Sequence, residues 1–167
     1  MTGVQTCALP ISGDFVVTVA GPHLESMISG KGSGAETFSR EHFTTVTNVD
    51  IGGGSANSAV FRLGKMIAAA AMNYGGRILE LDPDGGRIRH LAEPARIIIQ
   101  DLKLPLEIGA VPDLSALKQL TGCMADLTIE LIEGRCSPLA ERLMLTDPSP
   151  ESGKGTTVFF SDRKSVV

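Results

Sequence analysis

The alternation of apolar and polar positions divides the chain into short strands and amphipathic helices. Phe15–Ala20 is a continuous apolar run and predicts a buried strand. Gly21-Pro22 turns the chain, with Pro22 suited to a first helical position. Leu24, Met27 and Ile28 fall on one helical face, and Gly30 is expected to stop that helix. Thr44–Ile51 is β-branched and apolar enough for a strand, and Ser58–Leu63 repeats the pattern after a glycine run. Lys65–Asn73 reads as another strand, weakened by its alanines and ended by Gly75-Gly76. Arg77–Leu81 and Arg87–Leu91 flank a Pro-Asp-Gly turn, and Ala95–Gln100 fits a strand or a short helix. The clearest helix runs over Asp113–Glu133, capped by Asp113 and closed by Gly134. Its apolar stripe is Leu114, Leu117, Leu120, Met124, Leu127 and Leu131. Ser137-Pro138 starts a further helix to about Leu145, Asp147–Gly155 reads as a loop, and Thr156–Phe160 as a last strand. Strands alternating with helices predict an α/β class.

Composition narrows the function classes. The 167 residues suffice for about one domain with a sizeable core. With 43% hydrophobic and 20% charged residues the chain belongs with globular rather than disordered sequences. A net charge of −4 and the lack of a basic cluster argue against a nucleic-acid partner. Met66–Met72, the most apolar stretch, is far short of the roughly 20 residues that span a bilayer, so no membrane partner is expected. Of the cysteines, Cys123 and Cys136 form no CxxC pair and have no histidine at zinc-ligand spacing, which predicts reduced cytoplasmic thiols.

The stretch with chemistry to offer is Thr44–Phe61. Its first strand ends in Asp50 and runs into Gly52, Gly53 and Gly54, followed by Ser55 and Asn57. Glycines let consecutive backbone N–H groups approach an anion with no Cβ in the way. A carboxylate beside them can hold Mg²⁺ through water. An ordinary glycine-rich hairpin turn is the plain alternative. Other motifs fail. Gly30-Lys31 has Glu25 where a phosphate-binding loop needs glycine, and Gly32 where it needs Ser or Thr; Gly153-Lys154-Gly155 fails likewise. Asp82–Glu93 has acids at calcium-loop spacing, but Gly86 and Arg87 occupy the fifth and sixth positions, where Asp or Asn and then Gly are needed. His23 reads as a capping or packing residue near a helix start, His42 and His90 as surface residues, and no Ser-His-Asp arrangement is supported.

Asp50-Ile-Gly-Gly-Gly-Ser resembles the second phosphate-binding loop of the actin-like ATPases. A longer series is more specific: Asp14-Phe-Val-Val, Ala20-Gly-Pro-His-Leu-Glu-Ser, Asn48-Val-Asp-Ile-Gly-Gly-Gly, Asn73-Tyr-Gly-Gly-Arg, Met124-Ala-Asp-Leu and Cys136-Ser-Pro-Leu-Ala, in that order. Together these resemble the EutA family of ethanolamine ammonia-lyase reactivating factors, over roughly residues 13–161. Residues 1–12 and 162–167 instead resemble translated sequencing-adapter reads, so the expected organisation is a partial actin-like domain over 13–161 between two foreign tails.

The resemblance implies a partial actin-like (ribonuclease H-like) ATPase fold, mostly the second lobe, with a mixed sheet and flanking helices. It implies ATP and Mg²⁺ as ligands of the full-length parent. Asp50 would act as the catalytic, Mg²⁺-holding acid, and Gly52, Gly53, Gly54, Ser55 and Asn57 would bind the nucleotide. It further implies ethanolamine ammonia-lyase as the partner, and ATP-driven release of damaged cobalamin as the function. The setting would be cytoplasmic, with a bacterial microcompartment as an associated site. The first phosphate hairpin would precede Gly13 and the adenosine motif would follow Ser161, so this stretch alone is expected to bind little or no ATP. A small-metabolite kinase on the same scaffold, or a non-catalytic scaffold subunit, are the competing readings, because one fold hosts many activities.

Overall fold

The computed structural model describes residues 21–149, 151, 153, 155 and 157–161. The expected strand Phe15–Ala20 and both end segments lie outside the described residues. Helices α1 (Pro22–Gly32) and α2 (Ala35–Glu41) precede three consecutive strands, β1 (Thr45–Ile51), β2 (Ala56–Arg62) and β3 (Lys65–Met72). A small hairpin follows, β4 (Leu79–Leu81) and β5 (Ile88–Leu91), then helices α3 (Glu93–Leu102), α4 (Leu114–Glu133) and α5 (Pro138–Leu143), and strand β6 (Thr157–Ser161). The main sheet has the order β3-β2-β1-β6. β2 pairs antiparallel with both β1 and β3, whereas β6 joins β1 in parallel. The architecture is therefore α/β, with a mixed sheet and flanking helices.

The pleat sorts β1 and β2 onto two faces. Val46, Asn48 and Asp50 stand opposite Phe61, Ala59 and Asn57, and this face lies under α1 and α2. Its apolar end joins Val46, Ala59 and Phe61 to Ala35 and Phe38. The other face presents Ala56, Ala70 and Met72 to the larger core, built with Tyr74, Ile88, Ile98, Leu120, Leu127, Leu131 and Leu143. β1 and β2 are buried on both faces, and their buried positions include the polar Thr47, Asn48, Asp50, Asn57 and Ser58 beside apolar residues.

Helix α1 departs from expectation. Its buried positions are Ser26, Ser29 and Gly30, while Leu24 and Ile28 are exposed. The apolar face expected to pack is the outer one, and small residues face the sheet because helix and strands approach closely there. A β-carbon on Gly30 would run into the buried Phe61 ring. Gly30 thus permits contact rather than ending the helix, which continues to Gly32. Helix α2, with Gly34 before it in the left-handed region at φ 84°, had no counterpart among the expected elements.

The remaining elements follow their sequence signals. Ala95–Gln100 resolves as helix. Asp113 accepts from the Ser115 N–H and Gly134 closes α4 at φ 69°, while Ser137 caps α5 by accepting from the Ala140 N–H. Leu114 of the predicted stripe is exposed at the first turn, whereas Leu120, Leu127 and Leu131 are buried. The Asp82–Gly86 turn closes through the Asp82 N–H to Arg87 O and the Gly86 N–H to Asp82 O. No helix among the described residues is long and apolar enough to cross a membrane.

Candidate functional site

The glycine run forms the bend between β1 and β2. Asp50 pairs with Asn57, Ile51 pairs with Ala56, and the Gly52 N–H closes the bend on Ser55 O at 2.9 Å. Segment 75–77 grips this bend from one side. The Gly76 N–H donates to Gly52 O and the Arg77 N–H donates to Gly53 O, each at 2.9 Å. All described peptide bonds are trans, and across a trans peptide the C=O and N–H point in opposite directions. The Gly53 N–H is therefore turned away from Gly76, and the Gly54 N–H away from Arg77. Both N–H groups face outward, and among the described residues neither meets an acceptor.

Why glycine stands at each position differs. None of Gly52, Gly53 and Gly54 lies in the left-handed region. Gly53 is flanked by the Arg77 side chain, whose Cδ would be 3.3 Å from an added β-carbon. An added β-carbon at Gly54 would meet nothing within 4 Å. The fold itself does not demand glycine at 54, and bare backbone there leaves the open N–H groups approachable. Two consecutive outward N–H groups on bare backbone form an anion-binding concavity.

Ser55 extends this donor set. Its hydroxyl accepts from Asn57 Nδ2 at 3.1 Å, which leaves its own proton available to donate outward. Asn57 itself is buried beneath the bend and reaches the site through Ser55. Its Oδ1 is buried and, among the described residues, meets no hydrogen-bond donor. Asp50, opposite Asn57 and 1% exposed, lies one position from the bend but inside the fold, beside Ser161 on β6. A carboxylate with an acceptor-only amide oxygen across the strand suits a cation or its water shell. Among the described residues no three His, Cys, Asp or Glu side chains gather as a metal cage. A cation here would keep most of its ligands as water or phosphate oxygens, which is the habit of Mg²⁺. The Gly53 and Gly54 backbone is thus open at the surface, and Asp50 and Asn57 are set back behind it.

The support of the bend was not foreseen from sequence beyond the block in which it lies. Gly75 packs directly on the Gly52–Gly54 backbone. Tyr74 fixes the segment from below: its hydroxyl lies 2.8 Å from Thr128 Oγ1 of α4, and that oxygen already donates its proton to Met124 O at 2.9 Å. Tyr74 O–H must therefore be the donor. Burial pushes the Tyr74 phenol up to about 12. Asn73 N–H to Leu143 O at 2.7 Å ties the same segment to α5. Arg77, whose N–H holds Gly53 O and whose stem flanks Gly53, carries no sequence signal beyond its place in the Asn73-Tyr-Gly-Gly-Arg block.

The expected site residues that come together are thus Gly53, Gly54 and Ser55 at the open mouth, with Gly52, Asn57 and Asp50 behind them. His23 and His90 are exposed, and His42 stacks on Phe38 with ring centroids 3.9 Å apart.

The family model of Ethanolamine utilisation protein EutA matches residues 4–163. The chain is 45% identical over 143 residues to the ethanolamine ammonia-lyase reactivase EutA of Escherichia coli strain K12, and 44% identical to that of Salmonella typhimurium. Each alignment covers 83% of this chain and 29% of the relative, so the chain spans less than a third of the length of the curated proteins it matches. No solved structure matches it.

Proposed function

The chain belongs to the family of ethanolamine utilisation protein EutA, and from that premise we propose that it supplies one phosphate-binding bend of an ATP-dependent reactivase of ethanolamine ammonia-lyase. The observation that carries this reading is the pair of outward N–H groups on Gly53 and Gly54, held open by the clamp of Gly76 and Arg77 on the carbonyls behind them. In this reading the mixed sheet with its flanking helices is part of the second lobe of an actin-like fold.

The Gly53 and Gly54 N–H groups and the Ser55 hydroxyl bind the terminal phosphate of ATP. Gly52 shapes the bend, Asn57 orients Ser55, and Asp50 with Asn57 Oδ1 holds the water shell of Mg²⁺. Such donors are fixed before the ligand arrives, which is the form of electrostatic stabilisation that phosphoryl transfer uses. In the full-length protein, ATP bound between two lobes favours a closed arrangement. The lyase responds to that arrangement by releasing damaged cobalamin, so that intact cofactor can enter. A ligand shifts such an equilibrium only by its differential affinity for the two arrangements, so the phosphate contacts must differ between them. The protein would work in the cytoplasm, with a bacterial microcompartment as an associated location.

The test is reactivation of cobalamin-inactivated ethanolamine ammonia-lyase by the full-length protein with Mg²⁺ and ATP. Asp50→Ala and, separately, Gly54→Ala are expected to lose ATP-dependent reactivation at least tenfold. Gly54→Ala guards against a folding defect at the buried Asp50. Undiminished reactivation by both variants would contradict the proposal.

A further inference from the structure

We propose that Arg77 is a direct ligand of the anion held at this bend, clamping the terminal phosphate beside the Gly53 and Gly54 N–H groups. The inference rests on the phosphate-binding reading above and extends it to a residue on a separate segment.

Three observations carry it. First, Arg77 is anchored at the site by its own backbone, whose N–H donates to Gly53 O at 2.9 Å. Second, the stem of its exposed side chain lies along Gly53. An added β-carbon on Gly53 would stand 3.3 Å from Arg77 Cδ, 3.6 Å from Cγ and 3.6 Å from Nε. The missing side chain at 53 is therefore matched to the arginine stem as well as to open backbone. Third, no other described residue takes the Arg77 charge. Among the described residues it enters no ion pair. Glu80, whose carboxyl is held below its usual range, owes this first to Arg89, which binds it through Nε at 3.1 Å and Nη2 at 2.7 Å; Arg77 acts on it only weakly and at a distance.

An exposed arginine held by its backbone, with its stem already running along the bend, loses less freedom when it binds than one that must be brought there. Its planar fork matches two phosphate oxygens at once, which a lysine ammonium cannot do. The chemistry recognised is a phosphate dianion flanked by bare main chain, borne either by the end of a nucleoside triphosphate or by free inorganic phosphate. The bend by itself offers neutral donors. Arg77 is the group that adds a full positive charge and so favours the more highly charged ligand.

The experiment is titration of the full-length protein with Mg·ATP, Mg·ADP and inorganic phosphate, comparing wild type with Arg77→Gln, Arg77→Lys and Gly54→Ala. Arg77→Gln is expected to weaken Mg·ATP by about 10- to 100-fold, the worth of one charge-assisted hydrogen bond, with Arg77→Lys between it and wild type. An effect of under threefold on Mg·ADP with a large one on Mg·ATP assigns the contact to the triphosphate end. Parallel loss of inorganic phosphate binding assigns it to phosphate alone. Unchanged Mg·ATP affinity in Arg77→Gln while Gly54→Ala has lost it would overturn the role of Arg77 and leave the bend intact. Unchanged affinity in both would overturn the arginine clamp together with the phosphate site it extends.

Discussion

Gly75 is packed against Gly53 so tightly that a β-carbon at 75 would lie 2.7 Å from the Gly53 carbonyl carbon and 2.7 Å from the Gly54 nitrogen. Backbone lies on both sides of that contact, so relief requires the bend or its clamp to move. Gly75→Ala is expected to destabilise the protein by about 1–3 kcal/mol, the usual cost of overpacking. It should also displace the Gly76 and Arg77 hydrogen bonds that orient the open N–H groups. Chemical denaturation checks the first effect and Mg·ATP titration of the full-length protein the second. A stable variant with undiminished binding would mean that the clamp does not set the bend.

Gly30 makes a comparable contact on the opposite layer, where helix α1 meets the buried Phe61 ring. In a free helix Ala would be favoured over Gly by about 1 kcal/mol. Here the ring has no room to retreat, because Phe61 packs with Val46, Ala59 and Ala35. Gly30→Ala is therefore expected to lower stability by about 1–3 kcal/mol. A rise in the denaturation midpoint would show that α1 stands further from the sheet.

Tyr74 connects the clamp to α4, and its ionisation gives a pH signature. Burial raises the phenol from 10.0 to about 12, so the neutral form is favoured in the folded state. The contribution is fully present below pH 10 and is lost as the pH rises from about 10 to about 12. At about 1.4 kcal/mol per pH unit the loss reaches roughly 2–3 kcal/mol. Tyr74→Phe removes the hydrogen bond to Thr128, costing about 1 kcal/mol near neutrality, but it removes the alkaline loss as well. The stability difference between wild type and variant, followed by denaturation from pH 8 to pH 12, should fall through zero and change sign. A constant difference across that range would contradict the buried, donating phenol.

What the sequence made legible and what it concealed divide along the range of the interactions. Local signals resolved well: Asp113 and Gly134 bound α4, Ser137-Pro138 starts α5, and the Asp82–Gly86 turn closes a hairpin. Each depends on residues within a few positions of one another. The β1–β2 hairpin was legible too, because its strand patterns flank the glycine run. The orientation of α1 was not, since hydrophobicity favours burying Leu24 and Ile28. Ser26, Ser29 and Gly30 face inward because they let the helix come close. Ser29 Oγ there accepts from Asn48 Nδ2 at 2.9 Å, 19 residues away. At the bend, the turn through Gly52, Gly53 and Gly54 between two strands followed from a short motif, whereas the grip of Gly75, Gly76 and Arg77 arises from tertiary contact across two strands. Asp50 was legible as the acid at the strand end, but its burial beneath α1 was not.

Gly54 separates the needs of the fold from those of the proposed ligand. Its added β-carbon would meet nothing within 4 Å, and its φ lies outside the left-handed region. Gly54→Ala should leave stability unchanged or raise it by about 0.4–1 kcal/mol through the unfolded chain. The most direct measurement is Mg·ATP affinity and unfolding midpoint taken together on the full-length wild type and Gly54→Ala. The predicted result is at least a tenfold loss of affinity at an equal or higher midpoint. Equal affinity in the two proteins would contradict the bend as a phosphate site.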